Sequence, residues 1–257
     1  MKQLISIVIV HWNTPELLEK LLDLLKKSRD LQIIVVDNNS DRSLIWLKTN
    51  FPDVLLIKNK KNFGYAYACN QGAKKSKGDW LLFLNPDVEI APQQIQTMKD
   101  FVEKNKLDAA SPQPGSDAYR KPLPTVWSLL VEFTPLNRII SLNTFRAKTL
   151  FGGCLLIRSD IFKKINGWDE DFFLWFEDCD LTYRLIQKNY SIGWIPVKIK
   201  HIGGASFAQL NDKYKRQLFF NSMSTFAKKH FSPLGKLVVL GLKTRHIGFK
   251  KPFLLFL

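Results

Sequence analysis

Two apolar stretches of this chain each run directly into a carboxylate. Ile33-Ile34-Val35-Val36 leads into Asp37, and Leu81-Leu82-Phe83-Leu84 leads through Asn85-Pro86 to Asp87. A third acidic group, Glu177-Asp178-Cys179-Asp180, follows an aromatic stretch. Buried parallel strands read as continuous apolar runs, and open α/β sheets bind ligands just beyond the carboxyl ends of their strands. The pattern therefore sets Asp37 and Asp87 on one rim of one sheet. Carboxylates gathered on a shared rim suit a metal ion and a nucleotide.

The elements that must carry these residues alternate over the first hundred positions. Leu4-Val10 reads as a strand. Thr14 is a good N-cap and Pro15 a good first helical residue. Leu17, Leu18, Leu21, Leu22 and Leu25 then repeat at helical spacing. Strand Ile33-Val36 comes next, then a short helix near Ser43-Thr49 and a strand Val54-Ile57. A helix runs from Asn62-Phe63-Gly64 to about Ser76. Strand Trp80-Leu84 follows, and Pro92 opens a helix to about Asn105. This alternation predicts a mostly parallel sheet with right-handed crossovers. Four prolines between 111 and 124 read as a loop or an edge excursion. Residues 125–148 show no clear period. Leu150-Arg158 reads as a strand, Ser159-Asp160 opens a short helix, Glu177 to Asn189 is helical, and Ile192-Ile195 is a strand. Beyond His201 the chain reads as helical and basic.

Size and charge bound the rest. The 257 residues suit one large domain or two halves sharing a core. The longest apolar runs are too short to span a bilayer, and the first residues read as a strand rather than a secretion signal. Cys69, Cys154 and Cys179 are widely spaced and form neither a metal pair nor a disulfide framework. The expected setting is the cytoplasm. Net charge is +15, and residues 198–257 hold twelve Lys or Arg against one Asp. Such a surface could meet nucleic acid, anionic lipid or a phosphorylated substrate.

Ordered together, the motifs resemble family 2 glycosyltransferases of the GT-A fold, in the bacterial rhamnosyltransferase-like branch. They are Ser6-Ile7-Val8-Ile9-Val10-His11-Trp12-Asn13, Val35-Val36-Asp37-Asn38-Asn39-Ser40, Asn62-Phe63-Gly64-Tyr65-Ala66 with Asn70-Gln71-Gly72, and Phe83-Leu84-Asn85-Pro86-Asp87. Phe151-Gly152-Gly153-Cys154, Gly167-Trp168-Asp169-Glu170, Phe176-Glu177-Asp178-Cys179-Asp180-Leu181 with Arg184, and His201 with Gly203-Gly204 complete the order. The resemblance covers roughly residues 4–207. It implies a Rossmann-like sheet flanked by helices. Residues 1–210 would form the transferase domain, with a nucleotide-sugar half (1–110) and an acceptor and catalytic half (111–210). Residues 211–257 would be a basic amphipathic tail.

The same resemblance assigns roles. Val10, Trp12, Asp37, Asn62, Gly64 and Asn85 would hold a UDP or dTDP donor, with Asp37 accepting from the base imide. Asp87, the last residue of the family's DxD element, would ligate a divalent cation, Mn or Mg, with His201 as a further ligand. Hard oxygen ligands suit such ions, and imidazole favours Mn. This chain carries Asn85 where the element begins with Asp, so that position offers only an uncharged amide oxygen. Asp178 would be the base that takes the acceptor's proton in an inverting displacement, with Glu177 orienting the acceptor. Gly153, Trp168, Asp169 and Trp175 would face sugars, and the aromatics serve equally as core. The acceptor would be a glycan, often lipid-linked. The tail, with its terminal Phe253-Leu257 run, would meet an anionic membrane surface on the inner face of the cell membrane.

Two other readings compete. A nucleotidyltransferase making sugar nucleotides would open with a glycine-rich, Arg/Lys-bearing loop after the first strand, where this chain has His11-Trp12-Asn13-Thr14-Pro15. A nucleic-acid-binding module would explain the charge but not the acidic rim, so no nucleic-acid partner is expected.

Overall fold

The computed structural model describes residues 4–247, apart from 27, 29, 115–120 and 205. The terminal Phe253-Leu257 run therefore lies outside the described residues. In chain order the elements are β1 (Ile5–His11), α1 (Pro15–Leu25), β2 (Leu31–Asp37), α2 (Trp46–Asn50), β3 (Leu55–Lys58), α3 (Tyr65–Ala73), β4 (Trp80–Leu84), β5 (Val88–Glu89) and α4 (Pro92–Lys104). There follow β6 (Ala109–Pro114), α5 (Val126–Phe133), β7 (Cys154–Arg158), α6 (Ser159–Lys164), α7 (Glu177–Gln187), β8 (Ile192–His201), α8 (Asp212–His230) and α9 (Pro233–Ile247).

Among the described residues the strands form one sheet in the order β3-β2-β1-β4-β7-β6-β8-β5. The run from β3 to β4 is parallel, as the alternation predicts. The second half is mixed: β7 pairs antiparallel with both β4 and β6, β6 runs parallel to β8, and β5 pairs antiparallel with β8. The parallel strands read as unbroken apolar runs because both faces are covered. Ile7 and Ile9 pack on one side with Leu18 and Leu22 of α1 and Met98 of α4. Val8 and Phe83 pack on the other with Cys69 of α3, Ile161 of α6, and Trp168. A third cluster joins Leu129 of α5, Phe172, Phe176, Phe219, Phe220 and Phe226 of α8, and Val239 and Leu242 of α9. The segment 211–247 is thus a helical pair packed onto α5 and α7.

Three local expectations change. Residues 111–114 continue β6 instead of forming a loop. Ala109 N–H donates toward β8, to Ser191 O at 3.3 Å. Donors alternate along a strand, so Pro112 aims its missing donor toward β7, whose pairing ends at Ala110. Strand β8 runs past Pro196 to His201 because the ladder skips there: Pro112 pairs with Ile195, but Gln113 pairs with Lys198. The proline sits in the skipped pair of residues, where no ladder bond is lost. Thr14 occupies the N-cap of α1 without capping it by its side chain. Its hydroxyl is buried without a hydrogen-bond partner, and its N–H donates to His11 Nε2 at 3.1 Å.

Candidate active site

A cavity of about 450 Å³ opens at the carboxyl end of β1, β2 and β4. That size is typical of small-molecule sites, roughly 300–1,000 Å³. Val10 and Trp12 from the end of β1, with Asn38, Asn62 and Gly64, line one region. Asn85, Asp87 and His201 line another, and Gly152, Gly153, Trp175, Glu177 and Asp178 a third. Most of the residues expected at a site therefore share one cavity, although they come from six separate segments.

The acid pair begins α7, and the turn before it is strained. Trp175 and Phe176 both adopt left-handed backbone, with φ of 64° and 66°. Two consecutive non-glycine residues in this region are rare and persist only where the surroundings impose them. Here the surroundings are aromatic. Trp175 packs on Phe207 and Phe219, with ring centroids 5.1 and 5.8 Å apart, and Phe176 packs on Phe219 and Phe226. Ser222 Oγ of α8 donates to Leu174 O at 2.7 Å. Lys229 pairs with Asp169 and Asp171, each at 2.7 Å. At the far side of α7, buried Asp180 accepts from Arg184 Nε and faces His230 Nε2, each at 2.7 Å. Helix α8 thus braces both the turn and α7.

The two carboxylates differ. Burial pushes Glu177 up to about 8, and the neighbouring Asp178 charge adds to the rise. Its Oε2 is buried with no hydrogen-bond partner. Burial also raises Asp178, but Lys121 and backbone N–H groups of Cys179 and Gly152 oppose it. The Cys179 N–H reaches Asp178 Oδ1 at 2.8 Å. The N–H groups favour the ionised form at Asp178, while Glu177 holds its proton. Gly152 permits this approach: a Cβ there would lie 3.0 Å from Asp178 Cβ. Its carbonyl accepts from Tyr65 Oη at 2.9 Å.

Several expected contacts fall elsewhere. Asp37 does not line the cavity. In register with His11, it lies 3.3 Å from His11 Nδ1 and accepts from Ser40 N–H at 3.2 Å. Because His11 Nε2 accepts from Thr14, the ring proton sits on Nδ1, facing Asp37. Burial works against ionisation of Asp37, but these hydrogen bonds outweigh it and hold the carboxyl below its usual range. Asn38 stands at the cavity instead. Its amide donates to Asn62 Oδ1 at 2.7 Å and Gly64 O at 3.2 Å, and accepts from Asn59 and Phe63. Trp168 is core, 1% exposed against Phe83 and Tyr65. Asp169 is taken by Lys229, away from the cavity. Gly64 (φ 91°) answers a demand of the chain itself: a Cβ there would lie 2.6 Å from Phe173 O, the carbonyl that accepts from Tyr65 N–H. Lys121, Tyr65, Phe207 and Tyr214 line the cavity without having been singled out. Lys121 sits in a proline-rich stretch with no motif around it. Asn38 was adjacent to the residue chosen, and only the His11–Asp37 register decides between them.

The Asp87 and His201 side chains meet, Oδ1 to Nε2, at 3.3 Å. Asp87 Oδ1 is buried and receives no hydrogen bond. An oxygen and a ring nitrogen converging beside Asn85 fit a divalent cation. Among the described residues no group of three or more His, Cys, Asp or Glu is positioned to hold one. Two protein ligands suffice where substrate phosphates and water complete the shell, and the imidazole of His201 favours Mn over Mg.

Comparison with known proteins agrees with this geometry. The model of glycosyl transferase family 2 matches residues 6–165, and that of the N-terminal domain of galactosyltransferase matches 141–205. The low-salt glycan biosynthesis hexosyltransferase Agl10 of Haloferax volcanii is 27% identical over 202 residues, covering 74% of this chain. The chain spans 64% of that protein's length. The N-acetylglucosaminyl-diphospho-decaprenol L-rhamnosyltransferase of Mycobacterium tuberculosis is 25% identical over 234 residues, covering 77% of this chain and 74% of its own. The mannosyltransferase of Pyrobaculum calidifontis, solved with GDP-Man and Mn2+, superposes with a TM-score of 0.62 at 15% identity, over 97% of this chain and 71% of its own. The sheet and its flanking helices form a GT-A fold.

Proposed function

Since the chain belongs to glycosyltransferase family 2, we propose that it moves one hexose-type sugar from a UDP- or dTDP-activated donor to a glycan acceptor, with inversion at the anomeric carbon. The observation that carries this reading is the shared cavity. Asp178, buried and reached by the backbone N–H groups of Cys179 and Gly152, opens onto the same space as the residues beyond β1 and β2 and the Asp87–His201 pair.

In the proposed reaction Asp178 takes the proton of the acceptor hydroxyl as its oxygen forms a bond to the anomeric carbon. The bond from that carbon to the diphosphate oxygen breaks, and the nucleoside diphosphate leaves. Glu177 remains protonated and can donate a hydrogen bond to the acceptor. Trp12 offers a ring face to the base, and Asn38 fixes the shape of that wall. A cation held by Asp87 and His201 would neutralise charge on the diphosphate, and Lys121 is a cationic side chain already at the cavity. The acceptor we propose is lipid-linked, presented at the cytoplasmic face of a membrane. The M. tuberculosis relative, named for a diphospho-decaprenol acceptor, supports this class.

A panel of sugar nucleotides, screened by thermal shift and by release of nucleoside diphosphate with and without Mn, tests the proposal. A UDP- or dTDP-sugar should stabilise the protein, more so with Mn, and Asp87→Ala should remove the Mn gain. Stabilisation by no sugar nucleotide would overturn the reading.

A further inference from the structure

The outward face of α9 is apolar at its centre and basic at its edges. Val239 and Leu242 turn inward, 1% and 6% exposed, whereas Leu234, Leu237 and Leu240 are 73%, 64% and 54% exposed. A helix advances about 100° per residue. Leu237 and Leu240 therefore stand about 60° apart, opposite the buried line. Exposed Lys236 flanks them on one side and exposed Arg245 on the other. Helix α5 packs against the opposite, inward side of α9. A Cβ at Gly235 would lie 2.8 Å from Val126 Cγ2, so the helices pack closely there. The next residue, Trp127, is 51% exposed. His246 Nε2, near the end of α9, lies 3.0 Å from Phe133 O, at the end of α5. The two helices thus run side by side in the same direction.

We propose that this outward face of α9 is a docking surface for an anionic lipid bilayer. A leucine centre bordered by cations suits the boundary between headgroups and acyl chains. The charge selects the occupant. Residues 198–257 carry twelve Lys or Arg against one Asp, so a second copy seated here would bring like charges together, whereas anionic headgroups would neutralise them. Helix α9 also lies beyond both matched family regions, which end at 165 and 205. The α9 surface therefore lies outside the residues that the family models match. It depends on neither the donor nor the mechanism proposed above.

The test is co-sedimentation of the full chain with phosphatidylcholine vesicles, with and without phosphatidylglycerol, without donor. Binding should require the anionic lipid and weaken with salt. Leu237→Glu with Leu240→Glu should reduce it about tenfold or more while leaving the far-ultraviolet spectrum and melting temperature unchanged, since both side chains face solvent. Three results would overturn the proposal: no vesicle binding, binding undiminished in the double variant, or a dimer in light scattering that the double variant dissolves. Loss of vesicle binding with turnover intact would leave the transferase reading standing.

Discussion

Asp178 and Glu177 are adjacent carboxylates in one buried site, and burial raises both; their proposed roles rest on the backbone N–H groups that reach Asp178 and on the buried, unpartnered Oε2 of Glu177. Asp178→Asn keeps the shape of the side chain but cannot accept a proton. Transfer should fall by about 10²–10⁴ while donor binding, followed by titration calorimetry, stays near normal. Near-normal turnover in that variant would move the base elsewhere. Glu177 tests the same arrangement through stability. Its proton is held up to about 8 in the folded protein, against 4.5 for the free side chain. Below that lower value both states are protonated and burial costs least. As pH rises toward 8 the unfolded chain releases a proton that the folded chain retains, so this contribution to stability is lost. Glu177→Gln should therefore raise the melting temperature more at pH 8 than at pH 5. An equal gain at both pH values would mean that Glu177 titrates normally. The acid pair was legible from its motif. That Asn38 rather than Asp37 lines the cavity was not, because it depends on which side chain the β1–β2 register turns toward His11.

At the scale of elements, two glycines set the distance between the halves of the cavity. Gly64 lets α3 begin against the backbone of Phe173, and Gly152 lets β7's approach meet Asp178. Gly64→Ala must strain a φ of 91° and displace the Phe173 carbonyl. It should cost at least about 1–3 kcal/mol in chemical denaturation. Gly152→Ala asks its neighbour to yield only a few tenths of an ångström. It should leave stability within about 1 kcal/mol and lower kcat about tenfold through misplacement of Asp178. Equal losses of stability in the two variants would contradict this separation. The parallel strands were legible because burial on both faces writes an apolar run. Strand β6 and the second half of β8 were hidden by prolines that the ladder accommodates at an open edge and at a skip in register. Helix α5, within residues 125–148, gave no clear period. Its Leu129 and Val131 are buried, but the partners that bury α5 lie a hundred residues later, in α8 and α9.

Across the whole molecule, the basic C-terminal segment is also a brace. Truncation after Ser232 removes Val239 and Leu242 from the third core. Each buried aliphatic contributes roughly 1.5–3 kcal/mol. The shortened chain should melt at lower temperature and lose turnover in solution, even without vesicles. Turnover preserved in the truncated chain would reduce α9 to an appendage. The same architecture has a consequence for the order of events during synthesis. Strands β1 to β4 and their helices make contacts close in sequence and can assemble early. The cavity cannot. Gly64 needs Phe173, Asn13 O receives Gln209, and Leu174 is tied by Ser222. With ribosomes adding about 5–20 residues per second, the nascent N-terminal half waits many seconds before α8 emerges and draws Trp175 and Phe176 into their left-handed turn. A chain interrupted before α8 would carry the sheet and both carboxylates and still be catalytically silent, so competence is conferred last, by the part of the polypeptide furthest from the nucleotide motifs.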